Sequence, residues 1–150
     1  MRRALFLAAL LVGCTNEHAL ELDIVSSVDV PPEVVSWELR ITQVDPGEPC
    51  PTAEEAASAA RVGRLVHAQS FEDVGMSVGE IPRGQWAFAV LARDASCAPQ
   101  LYGCTSIAIG NETFSPIPIR VEPVVDVTAT CGTCRTCSAG ACSAAAAICD

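Results

Sequence analysis

The sequence contains no lysine, and its arginines between Arg40 and Arg135 are scattered singly along a chain of 150 residues. Proteins that bind a nucleic-acid backbone neutralise its phosphates with clustered lysine and arginine side chains. Here 18 acidic residues outnumber 9 basic ones, and the net charge is −9. This composition argues against a nucleic-acid partner. Aromatic residues make up only 5% of the chain, so few side chains of the kind that anchor interfaces are available.

Catalytic motifs are missing as well. No Gly-x-Ser-x-Gly elbow, His-Glu-x-x-His helix or phosphate-binding glycine loop occurs. The only histidines, His18 and His67, are expected to be surface or half-buried side chains, and Glu54 and Glu55 lack the spacing of a calcium loop. We therefore expect a protein that is not an enzyme and needs no cofactor. A small hydrolase with an acid/base pair assembled from distant strands is the weakest alternative.

A hydrophobic run long enough to cross a membrane is also lacking. The apolar stretch from Ala4 to Val12 is about half of the roughly 20 residues that span a bilayer. It follows Arg2 and Arg3 and ends at the small residue Gly13, which is the order found in secretory signals. The N-terminus therefore predicts export.

The tetrapeptide Leu11-Val12-Gly13-Cys14 resembles the lipobox of bacterial lipoproteins. The resemblance implies that residues 1–13 are a signal peptide and that Cys14 carries the lipid. Residues 14–18 would form the lipidated N-terminus and a linker, and two or three acyl chains would give a lasting anchor. Thr15 stands where lipoproteins of the inner membrane often have Asp, which by the same resemblance favours the outer membrane. A plain secretory signal or an uncleaved anchor is the alternative interpretation.

Nine cysteines are many for a chain of this length. With Cys14 assigned to lipid, eight remain, and an even number in an exported protein predicts disulfides. These eight are Cys50, Cys97, Cys104, Cys131, Cys134, Cys137, Cys142 and Cys149. Cys97 and Cys104 flank a turn-like segment, so we expect them to pair across a hairpin. Five tail cysteines are then left, and if all are oxidised within the chain, Cys50 must bond one of them.

The tail spacing Cys131-x2-Cys134-x2-Cys137-x4-Cys142 also approaches that of bacterial iron–sulfur proteins, with a last gap one residue longer. Four thiolates could instead complete a zinc site, and a two-residue gap between cysteines occurs in redox-active thiol proteins. All of these need reduced cysteines, whereas an exported chain meets an oxidising compartment. We therefore expect tail disulfides and no metal, with a thiol redox or metal-binding function as the alternative.

Residues 19–127 carry the signals of short β-strands. Two runs, 19–24 and 37–42, are apolar at every second position, with Trp37, Leu39 and Ile41 on one face, which predicts half-buried strands. Further strand-like runs cover 64–71, 85–93, 104–109 and 117–125. Six or seven strands separated by proline- and glycine-containing turns predict an all-β, antiparallel β-sandwich. The Cys-rich tail follows at residues 128–150.

One helical signal interrupts the strands. Thr52-Ala53-Glu54-Glu55 has the pattern of a capping box and precedes an alanine-rich run. It predicts two or three turns of helix within a loop.

The segment from Val78 to Val90 resembles the strand-turn-strand signature of prealbumin-like and immunoglobulin-like modules. An apolar residue, a proline, a spacer and a glycine lead there into an aromatic residue, which here are Ile81 to Gly84 followed by Trp86. The sequence that follows, from Ala92 to Thr105, resembles envelope lipoproteins of high-GC Gram-negative bacteria. These resemblances imply a sandwich architecture and no activity.

The combined expectation is an outer-membrane lipoprotein that faces the periplasm or the cell surface. It would act as a non-catalytic binding or structural module in the cell envelope, held in the membrane through Cys14, with an envelope protein or a glycan as its partner. Trp37 and Trp86 could stack on a sugar or a peptide, but their places near strand starts favour core packing.

Overall fold

The computed structural model of this chain describes residues 20–58, 65–71, 76–79, 81–110, 116–128, 131 and 135–144. The described part is mostly β, as the sequence predicts. Its elements are β1 (Leu20–Ser26), β2 (Ser36–Gln43), α1 (Ala53–Ser58), β3 (Leu65–Phe71), β4 (Met76–Val78), β5 (Gly84–Arg93), β6 (Pro99–Ile109), β7 (Ile117–Pro123), β8 (Arg135–Ser138) and β9 (Ala141–Ala144). The described residues include no helix with the length and apolar character needed to span a bilayer.

Seven strands form one sheet in the order β3-β2-β5-β6-β7-β1-β4, and β8 and β9 form a separate two-stranded ribbon. Neighbours pair antiparallel except β1 and β7, which are parallel. The β6–β7 pairing is brief and joins Leu101 to Pro123 and Tyr102 to Glu122. The next residue of β6, Gly103, lies so close to β7 that a Cβ atom would be 2.8 Å from the carbonyl carbon of Arg120. A glycine is therefore required where these two strands meet.

The largest apolar cluster of the described residues lies between the strands. Trp37, Leu39 and Ile41 of β2 are all buried in it, which confirms that they share one face. They are joined by Trp86, Phe88 and Val90 of β5, Leu20 and Leu22 of β1, and Ile117, Ile119 and Val121 of β7. Fully burying one large apolar side chain contributes roughly 1.5–3 kcal/mol.

Both tryptophans belong to this core. Trp37 and Trp86 are 4% and 3% exposed, and the Trp86 indole Nε1 donates a hydrogen bond of 2.7 Å to the Pro82 carbonyl. The expectation that they pack in the core rather than stack on a ligand is confirmed.

The helix also forms where the capping box predicts it, although it is only six residues long. The Thr52 backbone N–H donates to the Glu55 carboxylate at 2.8 Å, and the Glu55 backbone N–H donates to the Thr52 hydroxyl at 3.2 Å. These reciprocal bonds satisfy two backbone donors at the helix start. The helix lies against the sheet, where Ala56 and Ala57 pack on residues of β5.

Candidate functional site

The face of β2 that points away from the apolar cluster is buried too. Ser36, Glu38, Arg40 and Thr42 occupy this outer face, and each is at most 6% exposed. The sequence pattern predicts a half-buried strand there, and that expectation is wrong. Side chains of β2 do alternate between two faces, as predicted. The outer face is buried because the β8–β9 ribbon contacts β2 and α1 packs on the adjacent strand β5.

The ribbon is a tight hairpin whose tip rests on the start of β2. Its two turn residues, Ala139 and Gly140, have φ angles of 49° and 80°, the positive pair that a two-residue type I′ turn requires. The Ser36 hydroxyl donates a hydrogen bond to the Gly140 carbonyl. A Cβ atom at Gly140 would overlap the Val35 side chain and lie 3.0 Å from the Asp94 carbonyl oxygen. The tip of the ribbon can therefore pack against Val35 and Asp94 only with glycine at position 140.

Under the ribbon, one carboxylate binds three arginines. Glu38 Oε1 accepts from Arg40 Nε at 2.9 Å, and its Oε2 accepts from Arg93 Nε at 2.8 Å. Arg135, from β8, donates to Oε1 at 3.0 Å through Nη1. Additional ion-pair contacts join Nη2 of Arg40 to Oε1 at 2.7 Å and Nη2 of Arg93 to Oε2 at 2.8 Å. The cluster thus ties β2, β5 and the ribbon together.

The electrostatics of this cluster fix the charge of Glu38. Burial by itself raises the pKa of the Glu38 carboxyl, but the positive charges of Arg40, Arg93 and Arg135 outweigh burial and hold the pKa below its ordinary value. Burial lowers the pKa of both Arg40 and Arg93, and the Glu38 charge opposes that change. Glu38 is therefore ionised, and the four side chains carry three positive charges against one negative charge.

Two of the arginines also hold the backbone beside cysteines. Arg93 Nη1 donates to the Cys97 carbonyl at 2.7 Å, and Arg135 Nη2 donates to the Cys142 carbonyl. Cys97 has a φ of 66°, a left-handed conformation that is uncommon for a non-glycine residue. The ionic cluster therefore borders directly on the disulfides of the tail.

The Cys97 loop is shaped by the Asp94 side chain. Asp94 Oδ1 accepts hydrogen bonds from the Ser96 and Ala98 backbone N–H groups at 2.8 and 2.9 Å, and Oδ2 accepts from Gln100 Nε2 at 3.0 Å. The pKa of Asp94 is lowered chiefly by the hydrogen bond from the Ser96 hydroxyl, with these further bonds adding to it. This turn stabilises the short connection from β5 to β6.

Six cysteines of the described residues form three disulfides, Cys50–Cys104, Cys97–Cys137 and Cys131–Cys142. The predicted pairing of Cys97 with Cys104 is wrong, because the turn ends earlier than the sequence indicates. Strand β6 already begins at Pro99, so Cys104 lies well inside it, opposite Ala89 of β5. The predicted link from Cys50 to the tail is also wrong, since Cys50 bonds Cys104.

Three predicted site residues, Cys14, Cys134 and Cys149, lie outside the described residues, as does His18. His67 lies on β3, in register with Ile41 of β2. Glu54 accepts a hydrogen bond of 3.1 Å from the Thr128 backbone N–H, which ties α1 to the segment after β7.

The tail disulfides lie close together. The Sγ atoms of Cys97, Cys131 and Cys142 are all within 4.8 Å of one another, and all three residues are buried. Cys137, which bonds Cys97, is exposed. Cysteine binds a metal ion as the free thiolate, whereas these three sulfurs are engaged in disulfide bonds. The disulfides Cys97–Cys137 and Cys131–Cys142 therefore lie side by side, and Cys137 is the exposed end of the first.

Sequence reasoning did not find the Glu38 cluster. Glu38 and Arg40 occupy alternate positions of β2, a pattern that predicts a solvated face. Arg93 and Arg135 are 55 and 97 residues away from Glu38 along the chain. The pairing of β2 with β5 brings Arg93 to Glu38, and the folded ribbon brings Arg135, so the sequence offers no local signal for the cluster.

Comparisons of the chain with models of known protein families, with curated proteins and with solved structures found no match.

Proposed function

We propose that this chain is a lipoprotein, anchored in the outer membrane through Cys14, whose β-sandwich serves as a non-catalytic binding or structural module in the cell envelope. The observation that carries the proposal is the set of three disulfides that brace the described residues. Disulfides form and persist in oxidising compartments outside the cytoplasm. They agree with the export signal and the lipobox at Leu11-Val12-Gly13-Cys14.

The sandwich part of the proposal rests on how the apolar cluster is divided. Its buried side chains come from β7, β1 and β4 at one end of the strand order and from β2, β5 and β6 toward the other end. The two sets are joined through a β6–β7 pairing of only two residue pairs. A sheet that folds over itself at such a short junction brings two layers face to face, as in a sandwich.

A non-catalytic role agrees with the state of the buried ionisable groups. A general acid or base works best with a pKa near the operating pH. The Glu38 carboxyl has a lowered pKa and is occupied by three guanidinium groups. It therefore serves to hold the ribbon on the sheet rather than to transfer protons.

The proposed contact surface for a partner lies at the end of the sheet where β1 and β7 finish. Val28 and Val30 follow β1, Val125 follows the parallel strand β7, and Val35 precedes β2. These valines are 43–78% exposed. Exposed apolar groups mark interaction sites when they are contiguous, and both tryptophans that could stack on a sugar are buried. A protein surface fits this end better than a glycan does.

The anchor is tested by cell fractionation with Cys14→Ser as the matched variant. Wild-type protein is expected in the outer-membrane fraction with an acyl mass on residue 14, because two or more acyl chains hold a protein firmly. The variant is expected in a soluble envelope fraction or as uncleaved precursor, without acyl mass. Wild-type protein without acyl mass would contradict the proposal.

The alternative function, thiol redox or metal chemistry in the tail, has one observation in its favour. That observation is the proximity of the Cys97 sulfur to the Cys131–Cys142 disulfide. Alkylation of unreduced protein distinguishes the two functions, since a thiol enzyme or metal site would present reactive thiols at tail cysteines, and the structural module would not.

A further inference from the structure

The two tail disulfides differ in accessibility at their ends. Cys97 is 0% exposed, and Cys131 and Cys142 are 4% and 5% exposed. Cys137 is exposed on β8, so a thiol from solvent reaches the Cys97–Cys137 bond at the Cys137 end. We propose that Cys97–Cys137 and Cys131–Cys142 form one thiol–disulfide exchange unit, in which Cys97, once released from Cys137, forms a new disulfide with Cys131 or Cys142.

The proximity of the sulfurs supports this exchange. A thiolate breaks a disulfide by attacking one of its two sulfurs. The Cys97 sulfur lies within 4.8 Å of both sulfurs of Cys131–Cys142. A thiolate released at Cys97 therefore lies next to a second disulfide.

The neighbouring arginines favour Cys97 as a leaving group. Nearby positive charge lowers the pKa of a thiol, while burial raises it. The guanidinium of Arg93 is bonded to the Cys97 carbonyl, and that of Arg135 to the Cys142 carbonyl. Arg93 and Arg135 thus place positive charge beside the two disulfides, which partly compensates a new negative charge on sulfur.

The exchange balances with a dithiol as the reductant. Its thiolate attacks the Cys137 sulfur, the Cys97–Cys137 bond breaks, and Cys97 keeps the electron pair. The Cys97 thiolate then attacks Cys131 or Cys142, and the displaced thiolate takes a proton. The second thiol of the reductant displaces Cys137 from the mixed disulfide, which releases an oxidised cyclic disulfide. Two electrons thus pass from the dithiol to the protein, which gains two thiols.

The consequence is a cross-link that survives limited reduction. After exchange Cys97 is still bonded to the tail, so the ribbon stays attached to the β5–β6 loop. This matters because the ribbon covers the buried Glu38 cluster and supplies Arg135 to it. Cys137 is left as a thiol that can form a mixed disulfide by exchange with another disulfide. The inference does not depend on lipid anchoring or on the proposed binding role.

The test is partial reduction of the full chain with one equivalent of dithiothreitol, acid quenching, alkylation and tryptic mapping. Trypsin cleavage after Arg93, Arg120 and Arg135 places Cys97 in fragment 94–120, Cys131 in 121–135, and Cys137 and Cys142 in 136–150. In molecules alkylated at Cys137, we expect no alkylation at Cys97, which is linked to Cys131 or Cys142. Alkylation of both Cys97 and Cys137 with Cys131–Cys142 intact would overturn the proposal.

Two variants of the full chain sharpen the test. Cys131→Ser/Cys142→Ser removes the acceptor, so Cys97 is expected to become alkylated together with Cys137. Cys134→Ser/Cys149→Ser removes the tail cysteines outside the unit and is expected to leave the exchange unchanged. If the protection of Cys97 disappears in this second variant, the acceptor is Cys134 or Cys149 and the proposed unit is wrong.

Discussion

Replacing Glu38 with glutamine tests whether the buried cluster stabilises the fold. The Glu38→Gln change keeps the side-chain shape but turns one oxygen, which now accepts from a guanidinium, into an amide donor. It removes the negative charge that pairs with three buried or half-buried arginines. Removing one partner of a buried ion pair costs about 3–5 kcal/mol. Small domains have a total stability of about 5–15 kcal/mol, so this loss is a large share.

The assay is equilibrium urea unfolding with the disulfides intact. The midpoint for Glu38→Gln is expected to fall well below that of the wild type, by an amount equivalent to about 3 kcal/mol or more. Glu122→Gln is the matched control, because Glu122 is exposed on β7, and it is expected to change stability by no more than about 0.5 kcal/mol. Equal midpoints for wild type and Glu38→Gln would refute a stabilising role for the cluster.

Three further predictions follow from the same structure. The folded-state pKa of Glu38 lies below the ordinary 4.5, so the stability that its charge contributes is present above pH 4.5 and is lost as the pH falls through the folded-state pKa. The urea midpoint should therefore fall more on acidification for the wild type than for Glu38→Gln. Equal falls in the two midpoints would contradict this. Gly103→Ala should lower stability by about 1–3 kcal/mol through a clash with the β7 backbone, whereas Gly79→Ala, where a Cβ meets nothing within 4 Å, should change it little in the same assay. Val28→Asp should leave the urea midpoint unchanged, because Val28 is 43% exposed, yet abolish cross-linking to neighbouring proteins in intact envelopes; unchanged cross-linking would remove Val28 from the contact surface.

The longer strands could be predicted because their side chains alternate and proline or glycine bounds them. Strand β2 shows this most clearly, since Trp37, Leu39 and Ile41 all enter the core. The three- and four-residue strands β4, β8 and β9 are too short to give a periodic signal. Their existence depends on pairing with distant or adjacent segments, which local sequence does not encode.

The disulfide pairing could be predicted only in part. The abundance of cysteines predicts oxidation, but the partners depend on where the β5–β6 turn lies. Asp94 closes that turn with side-chain hydrogen bonds, so Cys97 stays in the loop while Cys104 enters β6. In the sequence Asp94 resembles an ordinary charged surface residue, so it does not indicate that β6 begins as early as Pro99.

The Glu38 cluster could not be predicted for a related reason. Charged residues at alternate strand positions normally face water, and a buried charge requires partners that compensate it. Here the partners come from β5 and from the ribbon, and the disulfides hold the ribbon in place. The chemistry of this face therefore arises from tertiary structure.

We propose an exported, lipid-anchored module braced by disulfides. Its most direct test is the intact mass of the protein purified from its native envelope after alkylation without reduction. The protein is expected to show loss of residues 1–13, added acyl mass on Cys14 and no alkylated cysteine. A mass without acyl chains, or one with alkylated tail cysteines, would contradict it.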